Sequence, residues 1–176
     1  MPLVETVMRY TSVAAAIGLT LLTVSTSLHG QRPDDQIDPR SLQLLEKGKA
    51  ARAAGNLQLA NDTIESALAV DPRNRGGYVV LAEIARAQNL PGKAIRMYRE
   101  ALLLEPNDIV ALRGQGEAMV AKGAVGRARE NLAKIKTICG SKPCNDAVVL
   151  AASIAKGPPV AAAQATPVKP MAVAKY

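Results

Sequence analysis

Cys139 and Cys144 carry the most reactive side chains of this sequence, and four residues separate them in "CGSKPC". A redox-active pair takes the tighter Cys-x-x-Cys spacing in a thioredoxin-like setting. A metal site needs two further soft ligands, and none stands nearby. The first reading is therefore a structural disulfide, which requires an oxidising compartment; free thiols are the alternative.

Little else in the chain could react. His29 is the single histidine, and it adjoins an apolar N-terminal run. Cleavage after Gly30 would remove it, and with it the usual general base. "RGQGE" (113–117) lacks the third glycine and the preceding strand of a dinucleotide loop. "PGKAI" (91–95) lacks the first glycine of a phosphate loop and a Ser or Thr after Lys93. Asp34, Asp35 and Asp38 could bind a divalent cation only weakly, because a flexible acidic segment holds no preformed cage. No catalytic residue, metal site or cofactor is expected, and the chain reads as a non-enzyme.

The elements that must position these residues follow from composition. The 176 residues are 48% hydrophobic, yet they include no Phe, no Trp and only 4 Tyr. A core of Ala, Leu, Val and Ile must be closely packed, which suits helices better than a β-sandwich. Formal charge is +7. Without stacking aromatics or a dense Lys/Arg block, that excess does not point to nucleic acid.

From Tyr10 to Leu28, "YTSVAAAIGLTLLTVSTSL", no residue is charged, and Arg9 precedes the run. Its apolar part, Val13–Val24, has signal-peptide length and is followed by small residues, so residues 1–30 read as a cleaved leader. Glu5 is out of place in a positive leader, which makes Met8 an alternative start. The competing reading is an uncleaved anchor, since a run of this length nearly spans a bilayer. Its many Ser and Thr residues weaken that reading, and membrane contact is expected only under it. Either way the remainder is exported, and a periplasmic location is expected.

Residues 31–40, "QRPDDQIDPR", read as a polar linker, with Asp38-Pro39 offering a helix cap followed by a first-turn proline. Residues 157–176, rich in Pro, Ala and Val and without an acid, are expected to be a disordered tail. Between them the chain repeats itself. "ALAVDPRN" (67–74) returns as "ALLLEPND" (101–108), 34 positions later. Blocks 41–74, 75–108 and 109–142 align so that each row has one steric character. Gly48, Ala82 and Gly116 are small, as are Ala60, Ala94 and Ala128. Leu44, Tyr78 and Leu112 are large, as are Ile64, Tyr98 and Leu132. Gly55, Asn89 and Gly123 are the residue types that accept the left-handed conformation ending a helix. Each block is thus two helices joined by a tight turn, and the fixed period predicts a stacked array.

Small, Ala, aromatic-or-Leu, Ala and Pro in this order resemble the tetratricopeptide repeat. The second block fits at Tyr78, Leu81, Ala82, Ala94, Tyr98, Ala101 and Pro106. The first departs at Lys47, and the third at Gln115, Ile135 and Gly140. The resemblance implies an all-α fold: a right-handed superhelical solenoid of three helix-turn-helix repeats over 41–142. Residues 145–156 resemble the solvating helix that caps such arrays, with Val148, Ala151, Ala152 and Ala155 as its expected packing side. The disulfide would pin that cap to the array.

Helical spacing leaves one face of each first helix over. It carries Leu45, Lys49 and Arg52; then Val79, Glu83 and Arg86; then Arg113, Glu117 and Val120. In the resembled family these positions line a concave groove for an extended peptide or a partner helix. Arg52, Arg86 and Arg113 are then expected to steer a partner bearing acidic residues. The plainer alternative is a solvated face with Glu83 and Arg86 paired locally. The family's chaperone-tail binders hold a terminal carboxylate in a Lys/Asn clamp. At its places stand Leu45, Lys49, Val80, Val110 and Gly114, and one lysine is not a clamp. The expected function is a monomeric scaffold or assembly factor of the bacterial envelope that binds a protein or peptide. The alternative is an envelope-polymer or cell-wall binder acting through the basic surface and tail.

Overall fold

The computed structural model describes residues 36–159; the expected leader and residues 160–176 of the expected tail lie outside the described residues. Seven helices and no strand occur among the described residues. They are α1 (Pro39–Ala53), α2 (Leu57–Val70), α3 (Arg75–Ala87), α4 (Pro91–Leu104), α5 (Ile109–Ala121), α6 (Val125–Cys139) and α7 (Asn145–Lys156). Helices α1–α2, α3–α4 and α5–α6 pack as hairpins, each stacked on the next, and α7 packs on both helices of the third. The architecture is an all-α helical-repeat solenoid.

Local chemistry starts and stops these helices. Pro39 and Pro91 occupy first-turn positions, where a missing N–H costs nothing. Asn56 and Asp108 cap α2 and α5 by accepting hydrogen bonds from the Leu59 and Ala111 N–H groups, each at 3.1 Å. The hairpins turn at Gly55, Asn89 and Gly123, with φ of 79°, 56° and 82°. These values lie in the left-handed region that other residue types avoid.

Close approach is made possible by the small rows. Ala60, Ala94 and Ala128 are fully buried, as is Ala82. A methyl group on Gly48 would collide with Ile64 Cδ1, and one on Gly116 would come within 2.7 Å of Leu150 Cδ1. The departures of the third repeat are also accommodated. Gln115 stands where Leu81 stands in the second repeat, and it is 7% exposed. Its Nε2 donates to the Ile95 carbonyl at 3.4 Å, while its Oε1 accepts from Asn131 Nδ2 at 3.0 Å. Ile135, aligned with Ala67 and Ala101, is fully buried against Leu112, Ala147 and Leu150. Its extra volume fills space under the cap.

Three expectations need correction. Residues 38–40 are not linker: Asp38 is tied to the array, and α1 begins at Pro39. The Asp38 N–H donates to Asp71 Oδ2 at 2.9 Å, and its carboxylate accepts from the Arg40 N–H at 2.7 Å. Asp38 is thereby the helix cap that Asp38-Pro39 led one to expect. The cap helix is rotated by one residue, about 100° of helix turn. Its packed side is Ala147, Leu150, Ala151 and Ile154, whereas Val148 is 65% exposed and Ala152 and Ala155 face outward. Leu150 sets that rotation by seating on Gly116. Leu45, expected on the open face, is 6% exposed and lies in the core, because Gly76 on α3 leaves it a place to pack.

Asp71 ties the first repeat together. Besides Asp38 it accepts from the Arg73 N–H at 3.0 Å and from the Arg73 guanidinium. The Arg73 side chain, then the two backbone N–H groups, outweigh burial and hold its carboxyl at about 2. A carboxylate whose folded pKa is depressed contributes stability above its unfolded value and loses it as pH falls through the folded value. Asp71→Asn should cost about 1–3 kcal/mol at neutral pH, because two backbone N–H groups, one of them buried, lose an ionised acceptor. Urea unfolding of both proteins from pH 7 downward checks this. The gap between them should hold to about pH 4 and close between there and pH 2.

Candidate functional site

The open face is built by α1, α3, α5 and α7, the first helix of each hairpin and the cap. In-register stacking places equivalent side chains of successive hairpins on one surface. Arg52 on α1 pairs with Glu83 on α3 at 2.5 Å, and Arg86 on α3 pairs with Glu117 on α5 at 2.5 Å. Arg113 on α5 continues the series to Asp146 on α7 at 3.0 Å. Lys49 pairs within α1, with Glu46 at 2.8 Å. Every cation of the predicted face therefore has a carboxylate beside it.

The local Glu83–Arg86 pair considered from sequence does not form. Both side chains reach to a neighbouring hairpin, since the acid at one repeat sits opposite the arginine of the repeat before it. The expected steering of an acidic partner by Arg52, Arg86 and Arg113 is corrected for the same reason. Three carboxylates neutralise the three guanidinium groups, leaving the face without net positive charge.

Tyr98 supports the middle of this ladder from behind. It projects from α4 across Gly114, where a methyl group would overlap its ring. Its hydroxyl lies beside the Arg86 guanidinium and interacts with it. Burial disfavours the Arg86 charge, but the Tyr98 hydroxyl and Glu117 outweigh it and raise its pKa above the ordinary value. Burial raises the Tyr98 hydroxyl as well, so it stays protonated. Both groups keep one charge state throughout physiological pH.

Arg52, Glu83, Arg86 and Glu117 line a cleft of about 490 Å³, floored by Ala87, Ala118 and Ala121 and edged by Asn89 and Pro91. A second cleft of about 460 Å³ shares Glu117 and Ala121 and runs on to Ser153, Lys156 and Gly157. The two form one furrow. Arg52 Nε is buried without a hydrogen-bond partner. Among the described residues no cluster of His, Cys, Asp and Glu could hold a metal ion.

Of the nine residues predicted for this face, Arg52, Glu83, Arg86 and Glu117 come together in the first cleft, and Val120 borders the second. Val120 is only 3% exposed, however, and packs with Ala128 and Ile154 as core. Val79 is half-buried against the central core, Arg113 is spent on Asp146, and Lys49 lies outside both clefts. Leu45 is interior, as described above. The alanine floor was missed, although Ala53, Ala87 and Ala121 recur at the repeat interval and could have disclosed it. Tyr98 and Asp146 carried no such signal, since neither lies on the predicted face. The chaperone-clamp places hold a buried Val80 and the Gly114 that makes room for Tyr98.

Solved structures with this architecture bear out the resemblance. The first TPR of Spaghetti (RPAP3) bound to an HSP90 peptide superimposes with a TM-score of 0.62 at 19% identity, over 69% of this chain and 96% of that one. The Sgt2 TPR domain from Aspergillus fumigatus gives 0.63 at 23%, over 72% and 84%. The Yersinia enterocolitica type III secretion chaperone SycD, in complex with a peptide of the translocator YopD, gives 0.59 at 17%, over 69% and 98%. No family model and no curated protein matches the sequence. The chain has the tetratricopeptide-repeat fold.

The Tyr98–Gly114 contact yields a test of this site. Gly114→Ala should force the ring aside, costing about 1–3 kcal/mol by overpacking and pulling the hydroxyl away from Arg86. Thermal melts read the stability. Tyrosine absorbance titration reads the hydroxyl, which should titrate still higher in the variant, because the Arg86 charge that lowers it is withdrawn while the ring stays buried.

Proposed function

We propose that the furrow across α1, α3 and α5 binds an extended peptide segment of a protein partner. The observation that carries this reading is the ladder of Arg–Glu pairs over a floor of alanines. Small side chains let a peptide backbone approach closely. Paired guanidinium and carboxylate groups offer donors to its carbonyls and acceptors to its N–H groups. Because the charges are matched, strong net charge on the partner gains little, and main-chain geometry and small apolar side chains do the selecting. Two structural neighbours are named as complexes with peptides, which supports the same mode for this chain.

The protein is further proposed to be an exported, non-catalytic scaffold or assembly factor of a bacterial envelope, acting as a monomer. The uncharged run from Tyr10 to Leu28 supports export. So does the placement of Cys139 and Cys144, which lie at the α6 end and just before α7 with Cα atoms 6.1 Å apart, a separation that a disulfide spans. The bond closes a short loop and would contribute about 2 kcal/mol on the chain-entropy model.

Two outcomes are expected. Ala87→Arg fills the first cleft from an exposed position, so a partner crosslinked in intact cells should bind the purified variant at least tenfold more weakly, with helical circular dichroism unchanged. Reversing a whole pair, Arg86→Glu with Glu117→Arg, should change affinity far less than either single reversal. Equal binding by wild type and Ala87→Arg would defeat the furrow reading. Separately, thiol titration of the unfolded protein from an osmotic-shock fraction should find no free cysteine, and reduction should raise hydrogen exchange over residues 145–156 first.

A further inference from the structure

The charge that the furrow lacks is gathered elsewhere. From Lys122 to Lys142 the chain carries Lys122, Arg127, Arg129, Lys134, Lys136 and Lys142 against the single acid Glu130. Arg96 of α4, Lys122 of the α5–α6 turn and Arg127 of α6 border a cleft of about 440 Å³ that shares no lining residue with the furrow. Lys122 Nζ extends over the first turn of α4, 3.8 Å from where a Gly92 methyl would stand. None of the three cations has an ion pair or hydrogen bond among the described residues, and no acidic side chain lines the cleft. This is the reverse of the furrow, where every cation is matched. Ile95 and Met119 supply an apolar floor. The adjoining starts of α4 and α6 have neither a capping side chain nor a first-turn acid, so their free N–H groups add to the positive potential.

We propose that this cleft is a second docking site, for an acidic peptide segment carrying an apolar side chain beside its carboxylates. Three unpaired cations around one small cavity call for two or more carboxylates at short spacing. The isoleucine and methionine floor favours a partner that also buries an apolar group there. A phosphate or uronate polymer would satisfy the cations but leave the floor uncovered. The cleft and the furrow have no lining residue in common, so the scaffold could hold two segments at once.

The full-length protein is titrated into fluorescein-labelled acetyl-Glu-Glu-Leu-Glu-Glu-amide, with anisotropy read at low and moderate salt. Replacing every Glu of the peptide by Gln, or Arg96 and Arg127 of the protein by Gln, should each weaken binding at least tenfold. Replacing the peptide Leu by Ser should weaken it several-fold, while Ala87→Arg in the furrow should leave it unchanged. That last variant separates failure of this site from failure of the furrow. The substituted arginines are exposed, and circular dichroism verifies their fold. Absence of binding at millimolar protein, or equal binding by the Arg96→Gln/Arg127→Gln variant, overturns the proposal. So does indifference to the Leu→Ser change combined with competition by polyphosphate, which would assign the cleft to an anionic polymer instead.

Discussion

The structure depends on how close its helices can come. With no Phe or Trp in the chain, bulk cannot fill wide gaps, so the helices must approach until little more than a methyl group separates them. Ala60, Ala94 and Ala128 make that approach within the hairpins, and Gly48 and Gly116 let a branched side chain, Ile64 of α2 and Leu150 of α7, lie directly on the backbone. Dense interiors punish both cavities and overpacking. A lattice of small residues therefore sets helix spacing, and spacing in turn sets what can meet across the open face.

That spacing explains why charges pair between hairpins rather than along a helix. An arginine at the end of one first helix reaches the glutamate of the next because the stacked helices stand one side-chain length apart. Repetition propagates the contact from Arg52–Glu83 to Arg86–Glu117. It ends where the pattern ends: Val120 replaces the next arginine and sinks into the core, and Arg113 turns to Asp146 on the cap. The result is a face rich in hydrogen-bonding groups without net charge, while unpaired basic residues gather around the cleft between α4 and α6. The Tyr98 ring, housed by Gly114, braces the central pair from the core.

The cap shows the same constraint acting on an element outside the repeat. Gly140 and the lengthened turn deliver α7 late, so its residues cannot be placed by counting from the repeats. Leu150 finds Gly116, and that single contact decides which side of the helix is covered. Ile135 and Gln115, departures from the repeat pattern, make sense only beside this displaced helix and the Asn131 amide.

Much of the fold was legible in the residues. Period, small rows and turn positions are local or strictly repeated properties, and helix starts, left-handed turns and hairpin order follow from them without knowledge of any distant contact. The candidate face was only partly legible, because helical spacing tells which residues share a side but not what the neighbouring helix offers them. Leu45 looked open until Gly76 gave it a place to pack, and Arg52 looked free until Glu83 met it. The cap was misjudged by one residue for a like reason, since rotating a short Ala-rich helix changes its pattern little. Side-chain periodicity is written in the chain itself. Whether a given side chain faces solvent, core or counter-charge depends on a partner many residues away, and only the stacking of the hairpins decides that.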